Sequence, residues 1–79
     1  MLHIRFKKVK GVYRATISCN TVAEYNTVNR RYICGAVLTL THSQTGKRVR
    51  GRVQSRLLGQ FQGLGKRTVA KLVLQPVAF

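Results

Sequence analysis

The sequence predicts a mainly β fold: a small twisted sheet, or an OB- or SH3-like barrel, of four or five antiparallel strands with one short helix. Apolar and polar residues alternate along several segments, and this two-residue period is typical of half-buried strands. Glycine-containing turn signals separate the segments. The chain has 79 residues, of which 44% are hydrophobic, so we expect one thin core and a single domain over residues 1–79. An α+β arrangement of the same elements is the alternative.

The N-terminal segment predicts a β-hairpin. Leu2, Ile4 and Phe6 share one face of the first strand, and polar or basic residues lie between them. Lys10-Gly11 is a turn signal, and alternation then resumes over residues 13–19 with the apolar residues at odd-numbered positions. Two alternating segments joined by a short glycine-containing turn are typical of a hairpin.

A short helix is predicted to follow the hairpin. Thr21 is followed three residues later by Glu24, and this spacing matches a capping box at the start of a helix. We expect the helix to cover about residues 22–28. Glu24 is the only acid in the chain, and a role in capping explains it better than a role as a catalytic base.

Two further strands are predicted in the middle of the chain. Residues 32–41 carry apolar side chains on both faces, which favours a central strand covered on both sides. After a loop at 43–46, Val49, Gly51 and Val53 alternate with arginines. The apolar positions of this strand are expected to face the core and the arginines to face solvent.

The last third of the chain allows two interpretations. Residues 68–75 (TVAKLVLQ) are rich in β-forming residues, which favours a fifth strand. Val53, Leu57 and Phe61 instead recur every four residues, a spacing typical of a helix. The alternative fold is therefore a β-sheet followed by a helix-hairpin-helix-like unit at 53–75.

A glycine-rich turn at 63–65 underlies that alternative. An apolar residue precedes its Gly-Leu-Gly sequence and further apolar positions follow it, so residues 61–72 resemble the hairpin of helix-hairpin-helix DNA-binding modules. In that family the backbone N–H groups of the hairpin and the N-terminus of the next helix hold a phosphate. The chain departs from the family pattern at Gln62, where a proline is usual, and at Gly59 inside the first helix. The resemblance covers under a third of the chain and implies phosphate contacts at Gly63, Gly65, Lys66 and Arg67.

A second resemblance concerns the same region. Gly59-Gln60-Phe61 followed by a final apolar strand resembles the end of small filamentous-phage single-strand DNA-binding proteins, which are OB-type β-barrels of similar length. This resemblance implies a barrel that binds unpaired DNA. It does not extend over the rest of the chain, which is far more basic than that family, and we assign the chain to neither family.

The charge balance indicates a polyanionic partner. Fifteen lysines and arginines stand against one acid, so the net charge is +14 at pH 7. Self-repulsion at this density destabilises a compact state, and a bound polyanion neutralises the charge. The many β-branched and aromatic residues exclude a disordered basic tail. We therefore expect a folded, non-catalytic nucleic-acid-binding domain, with single-stranded DNA or RNA favoured over duplex.

The sharpest candidate for phosphate contact is a stripe of three arginines. Arg48, Arg50 and Arg52 occupy alternate positions of one strand, about 6.6 Å apart along one face. Guanidinium groups stay charged and bind phosphate bidentately. Ten of the fifteen cations lie in 5–14 and 47–56, and neighbouring aromatic residues could stack on unpaired bases. The candidate binding residues are Arg5, Lys7, Lys8, Arg14, Arg30, Arg31, Tyr32, Lys47, Arg48, Arg50, Arg52, Arg56, Lys66 and Arg67.

Two other classes of function stay open. Electrostatic steering would also suit a basic protein that docks on an acidic protein or a nucleoprotein machine, such as a ribosomal component or a phage-encoded inhibitor of a host complex. A small basic ribonuclease is the more remote alternative. No spacing in the sequence brings its acid–base groups together, and we expect no enzyme activity. Those groups would be His3, His42, Tyr13, Tyr32 and Glu24.

We expect no cofactor, no metal and no membrane partner. Cys19 and Cys34 are too few for a disulfide framework and are expected to be reduced thiols in the core. Together with His3 and His42 they lack the close spacing of a zinc site. The sequence has no signal-peptide pattern and no apolar stretch of membrane-spanning length. We expect a cytoplasmic location, in a cell or an infected host cell, and a homodimer is left open.

Overall fold

The computed structural model describes residues 2–59 and 67–78, which form five antiparallel strands and one helix. The strands make a single sheet in the order β1-β2-β5-β4-β3. The sheet curls into a half-barrel, which confirms the prediction of a mainly β fold with one short helix. The elements are β1 (His3–Val9), β2 (Val12–Cys19), α1 (Val22–Arg31), β3 (Val37–Thr41), β4 (Arg48–Leu58) and β5 (Arg67–Pro76).

The first two strands form the predicted hairpin. Val9 pairs with Val12 across a two-residue turn. The turn residues Lys10 and Gly11 have φ values of 50° and 82°, and positive φ at both central positions is the requirement of a type I′ turn. Glycine adopts this conformation without strain, whereas Lys10 does so at some cost.

The helix begins with the predicted capping box. The Thr21 Oγ1 atom accepts a hydrogen bond from the Glu24 backbone N–H at 3.1 Å, and Glu24 Oε1 accepts one from the Asn20 N–H at 2.9 Å. The first bond satisfies a backbone donor that a helix N-terminus leaves free. The second holds the N–H of the residue before the N-cap, one position earlier than in the standard capping box. The helix continues to Arg31, three residues beyond the predicted end.

The prediction of a central strand at 32–41 is wrong. The Tyr32 N–H still bonds to the Val28 carbonyl at the end of α1, and Gly35 turns the chain with a φ of 89°. β3 therefore begins only at Val37 and lies at the sheet edge, paired with β4 alone. Because residues 32–36 precede the strand, Cys34 is exposed rather than part of the core.

The central strand is β5, which lies between β2 and β4. Residues 53–58 and 67–75 are strands in the structure, so the helix-hairpin-helix-like alternative is wrong for them. Leu72 and Leu74 are buried at two-residue spacing, and the pairing of β5 on both sides outweighs the four-residue recurrence of Val53 and Leu57. The glycine-rich turn at 63–65 lies outside the described residues.

The core lies between α1 and the face of the sheet that α1 covers. Val28 of the helix is fully buried, and the Tyr25 hydroxyl donates a hydrogen bond to the Gly59 carbonyl at 2.9 Å. On the opposite side of the half-barrel, two hydrogen bonds join the edge strand β1 to the residues that follow β3, the other edge strand. The Ser43 N–H donates to the Ile4 carbonyl at 2.8 Å, and the Ile4 N–H donates to Ser43 Oγ at 2.7 Å. The buried apolar residues are Ile4, Ala15, Ile17, Cys19, Val28, Leu40, Val49, Val53, Val69, Ala70, Leu72 and Leu74.

A β-bulge in β4 changes which residues face the core. The register between β4 and β5 shifts between Val53 and Ser55. Before the shift, odd-numbered residues of β4 face the core; after it, Arg56 pairs with the buried Leu72, and Leu57 pairs with the exposed Lys71. The extra residue therefore turns Arg56 to the helix side and Leu57 to the opposite side.

Candidate functional site

An open groove of about 690 Å³ crosses the face of the sheet that points away from α1. Paired residues of β1, β2, β5 and β4 form rows that run across the strands. Two rows point their side chains into the groove, and the row between them presents only its backbone there. The first row runs Lys7, Arg14, Val73 and Ser55, and the second runs Arg5, Thr16, Lys71 and Leu57. The middle row is Phe6, Ala15, Leu72 and Arg56, whose side chains point to the helix side because of the strand alternation.

The groove is strongly cationic. Arg5, Lys7, Arg14 and Lys71 are all exposed, and no acidic residue lines the groove. Lys7 and Arg14 are direct partners on neighbouring strands, about 4.8 Å apart at the backbone. Arg5 and Lys7 follow each other on one face of β1 at about 6.8 Å. Three strands thus bring four positive charges together with no carboxylate among them.

Lys71 is the groove cation that the sequence-based prediction missed. It comes from β5, whereas the other three cations come from the N-terminal hairpin. One signal was available, because Lys71 stands between the apolar residues Ala70 and Leu72 and interrupts an otherwise apolar segment. Its alternation with Leu72 assigns it to the polar face of a strand, but only the pairing of β2 with β5 brings it beside the hairpin.

The arginine stripe continues the same face towards the sheet edge. Arg52 pairs with Gln75, which lies two positions from the groove residue Val73 on the same face of β5. Two arginines of the stripe contact backbone carbonyls. Arg52 Nη1 donates to the Gly35 carbonyl at 3.0 Å, and Arg50 Nη1 lies 3.5 Å from the Ala78 carbonyl oxygen. Arg48 is exposed at the start of β4. The stripe therefore flanks the groove and does not line it.

Arg56, predicted as a binding residue, lies on the other face. Its Nη1 donates hydrogen bonds to the carbonyls of Asn29 at 3.1 Å and Tyr32 at 3.3 Å, at the end of α1. The alternation of β4 assigns Arg56 to the same polar face as Arg52, but the bulge reverses that assignment. Its side chain holds the helix against the sheet.

The other predicted binding residues are dispersed. The Lys8 Nζ atom lies over the Tyr13 ring at 5.9 Å from its centroid, on the face opposite the groove. Arg30 and Arg31 are exposed in the last turn of α1, and Lys47 is exposed before β4. Tyr32 is half-buried against the core, and burial raises the pKa of its hydroxyl. Arg67 begins β5, and Lys66 lies outside the described residues.

The aromatic residues of the hairpin pack against each other and do not form a stacking platform on the groove. Phe6 meets Tyr13 edge-on at 6.1 Å and His42 edge-on at 5.2 Å between ring centroids. His42 Nδ1 also accepts a hydrogen bond from the Gln44 N–H at 3.2 Å. His3 lines a separate pocket of about 190 Å³ with Arg5, Ser18, Ser43 and Gln44.

Within residues 2–59 and 67–78, no group of three His, Cys, Asp or Glu side chains is arranged to hold a metal ion. No helix in this part of the chain has the length and apolar character that crossing a membrane requires. Comparison with known proteins gives no matching family model, no matching curated protein and no matching solved structure. The groove and its charges are therefore the basis for inferring a function.

Proposed function

We propose that the protein binds nucleic acid through phosphate contacts in this groove, without catalysing a reaction on it, and that it prefers single strands to duplex. The observation that supports the proposal is the set of four exposed cations in a groove that no acidic side chain lines. A cationic cleft concentrates an anionic ligand and raises its rate of association.

The groove offers both kinds of phosphate contact. Arg5 and Arg14 carry planar guanidinium groups that suit bidentate hydrogen bonds to phosphate, and Lys7 and Lys71 supply compact point charges. Strand pairing sets the spacing of their backbones, while the long side chains adapt to successive phosphates. The contacts require no base edge, so we expect little sequence preference.

The arginine stripe adds positive charge next to the groove, which extends the electrostatic attraction for an anionic ligand. Arg48, Arg50 and Arg52 lie beside the groove on the same face, and the whole chain has a net charge of +14. Binding that neutralises phosphates releases counterions, so the affinity is expected to fall steeply with salt. The slope of log affinity against log salt counts the phosphates that the protein neutralises.

The test is a titration of single-stranded DNA, duplex DNA and RNA at several salt concentrations. The variant Lys7→Ala/Arg14→Ala removes two groove charges, and Lys8→Ala/Arg30→Ala removes two charges from elsewhere. We expect the groove variant to lower the magnitude of the slope by about 1.4 on a single strand. The control, which has the same net charge, should leave the slope nearly unchanged.

Equal slopes for the groove variant and the control would contradict the groove as the binding site. A third variant, Arg48→Ala/Arg50→Ala/Arg52→Ala, measures the contribution of the arginine stripe. Each arginine that contacts a phosphate accounts for about 0.7 of the slope's magnitude on a single strand and about 0.9 on a duplex. A protein that stays free of nucleic acid at low salt, and binds none of the three ligands, would contradict the proposal and favour an acidic protein partner.

A further inference from the structure

The groove is chemically divided across its width. The side formed by β1 and β2 carries Arg5, Lys7 and Arg14, whereas the side formed by β5 and β4 carries Val73 and Leu57 beside Lys71. Arg14 and Val73 are direct partners on β2 and β5, so the two sides meet there. Leu57 lies two to three strands, or about 10–15 Å, from the three cations of the hairpin. A ligand that fills the groove therefore meets three cations along the hairpin edge. Along the other edge it meets two apolar side chains together with Lys71 and Ser55.

Leu57 is the main apolar group on that second side. Its side chain is 69% exposed, the largest exposure among the large hydrophobic residues of the described chain. A single exposed leucine is ordinary on a protein surface. Leu57, however, lies in a groove wall next to the partly exposed Val73 and opposite three cations. The bulge in β4 turns it there and away from the core.

A single nucleic-acid strand has the same division. Its phosphates lie along one edge, and its unpaired bases present apolar faces along the other. A duplex buries those faces in its stacked interior and offers phosphates and sugars to a shallow groove. The apolar side of the groove thus has a partner in a single strand and lacks one in a duplex.

We propose that the groove holds a single strand in one lateral orientation, with phosphates along Arg5, Lys7 and Arg14 and base faces against Leu57 and Val73. This inference rests on the proposed function and adds to it the source of strand selectivity. The nucleic-acid strand runs parallel to the β-strands, because its phosphate edge faces β1 and β2 and its base edge faces β5 and β4. Leu57 is the residue that distinguishes a single strand from a duplex.

The experiment compares Leu57→Ala with the unchanged protein on three ligands: a single-stranded oligonucleotide, an abasic strand of equal length, and a duplex. The abasic strand keeps the phosphates and sugars but has no bases. We expect Leu57→Ala to weaken binding of the normal single strand about three- to tenfold, from the apolar area lost. The affinities for the abasic strand and the duplex, and the salt slope on every ligand, should be unchanged.

The matched control is Val22→Ala, which shortens a side chain that is 59% exposed on α1, far from the groove; it should change none of the affinities. An equal loss on all three ligands, or no loss on the normal single strand, would overturn the assignment of Leu57. Those results would not contradict the phosphate contacts, because Lys7→Ala/Arg14→Ala tests them separately by the salt slope. The thermal midpoint of Leu57→Ala should match that of the unchanged protein, so that a folding defect does not imitate a binding defect.

Discussion

Arg56 shows how one side chain can have the residue type of a binding group and a different task. Its guanidinium donates to the carbonyls of Asn29 and Tyr32, which lie where a helix leaves carbonyl groups without intrahelical partners. A cation is also favoured at the negative end of the helix dipole. The sequence identifies Arg56 as a cation on a strand, but the direction of its side chain depends on the bulge that precedes it.

Replacing Arg56 is therefore expected to affect folding more than binding. Arg56→Ala should lower the free energy of unfolding by about 1–2 kcal/mol, because two carbonyls lose a charged donor. Urea denaturation measures this change, and Arg31→Ala, which removes an exposed charge from the same region, should cost much less. An Arg56→Ala protein with normal stability and a salt slope reduced by a full unit would show that Arg56 contacts phosphate instead.

At the scale of elements, the alternation of apolar and polar residues predicted the strands that bury one face. It failed where tertiary pairing changes the length, position or facing of an element. The hairpin of β1 and β2, the first half of β4, and β5 follow the two-residue period. The capping box likewise predicted where α1 begins, because all of its bonds are local. The end of α1, the edge position of β3 and the bulge in β4 depend on tertiary pairing, which the period of a single segment does not contain.

Gly51 tests how closely β4 and β5 pack. A Cβ atom at Gly51 would lie 2.8 Å from the Cβ atom of Leu74 and 3.0 Å from the Gln75 carbonyl oxygen. Gly51→Ala should therefore lower the free energy of unfolding by about 1–3 kcal/mol, as overpacking does elsewhere. Gly59→Ala is the control, since its nearest neighbour would be the Val69 carbonyl oxygen at an ordinary 3.6 Å. Equal stability of the two variants in urea would mean that the strands separate at little cost.

At the scale of the whole molecule, folding assembles a site whose parts are far apart in the sequence. Arg5, Lys7 and Arg14 could be predicted as neighbours because a hairpin is local. Lys71 joins them only because β5 inserts between β2 and β4, and strand order is not readable from alternation. The sequence thus indicates that cations face solvent, while the sheet order determines which of them share a groove.

The whole-molecule charge leads to a prediction about stability. The molecule measures 35 × 25 × 20 Å and carries +14. The Debye length is about 30 Å at 0.01 M salt and about 10 Å at 0.1 M, so low salt lets charges repel across the entire fold. The thermal unfolding midpoint should therefore rise as salt increases over this range, because screening relieves repulsion in the compact state more than in the expanded one.

Differential scanning calorimetry at constant pH measures this dependence. Sodium chloride and potassium fluoride should act alike at equal ionic strength, which separates screening from the binding of a particular anion. A midpoint that falls with added salt would mean that favourable charge pairs outweigh the repulsion.

The bulge in β4 acts on the strand as a frameshift acts on a reading frame. A strand carries two interleaved series of residues, one for each face, and one additional residue exchanges the series downstream of it. Deleting Gln54 would remove the bulge and leave Arg56 and Leu57 on their present faces. A strand that kept Gln54 in regular pairing would instead turn Arg56 into the groove and Leu57 towards α1. The groove would then gain a fifth cation and lose its hydrocarbon edge, and the helix would lose the donor to its last carbonyls. A single inserted position thus controls both the attachment of the helix and the two-sided character of the groove.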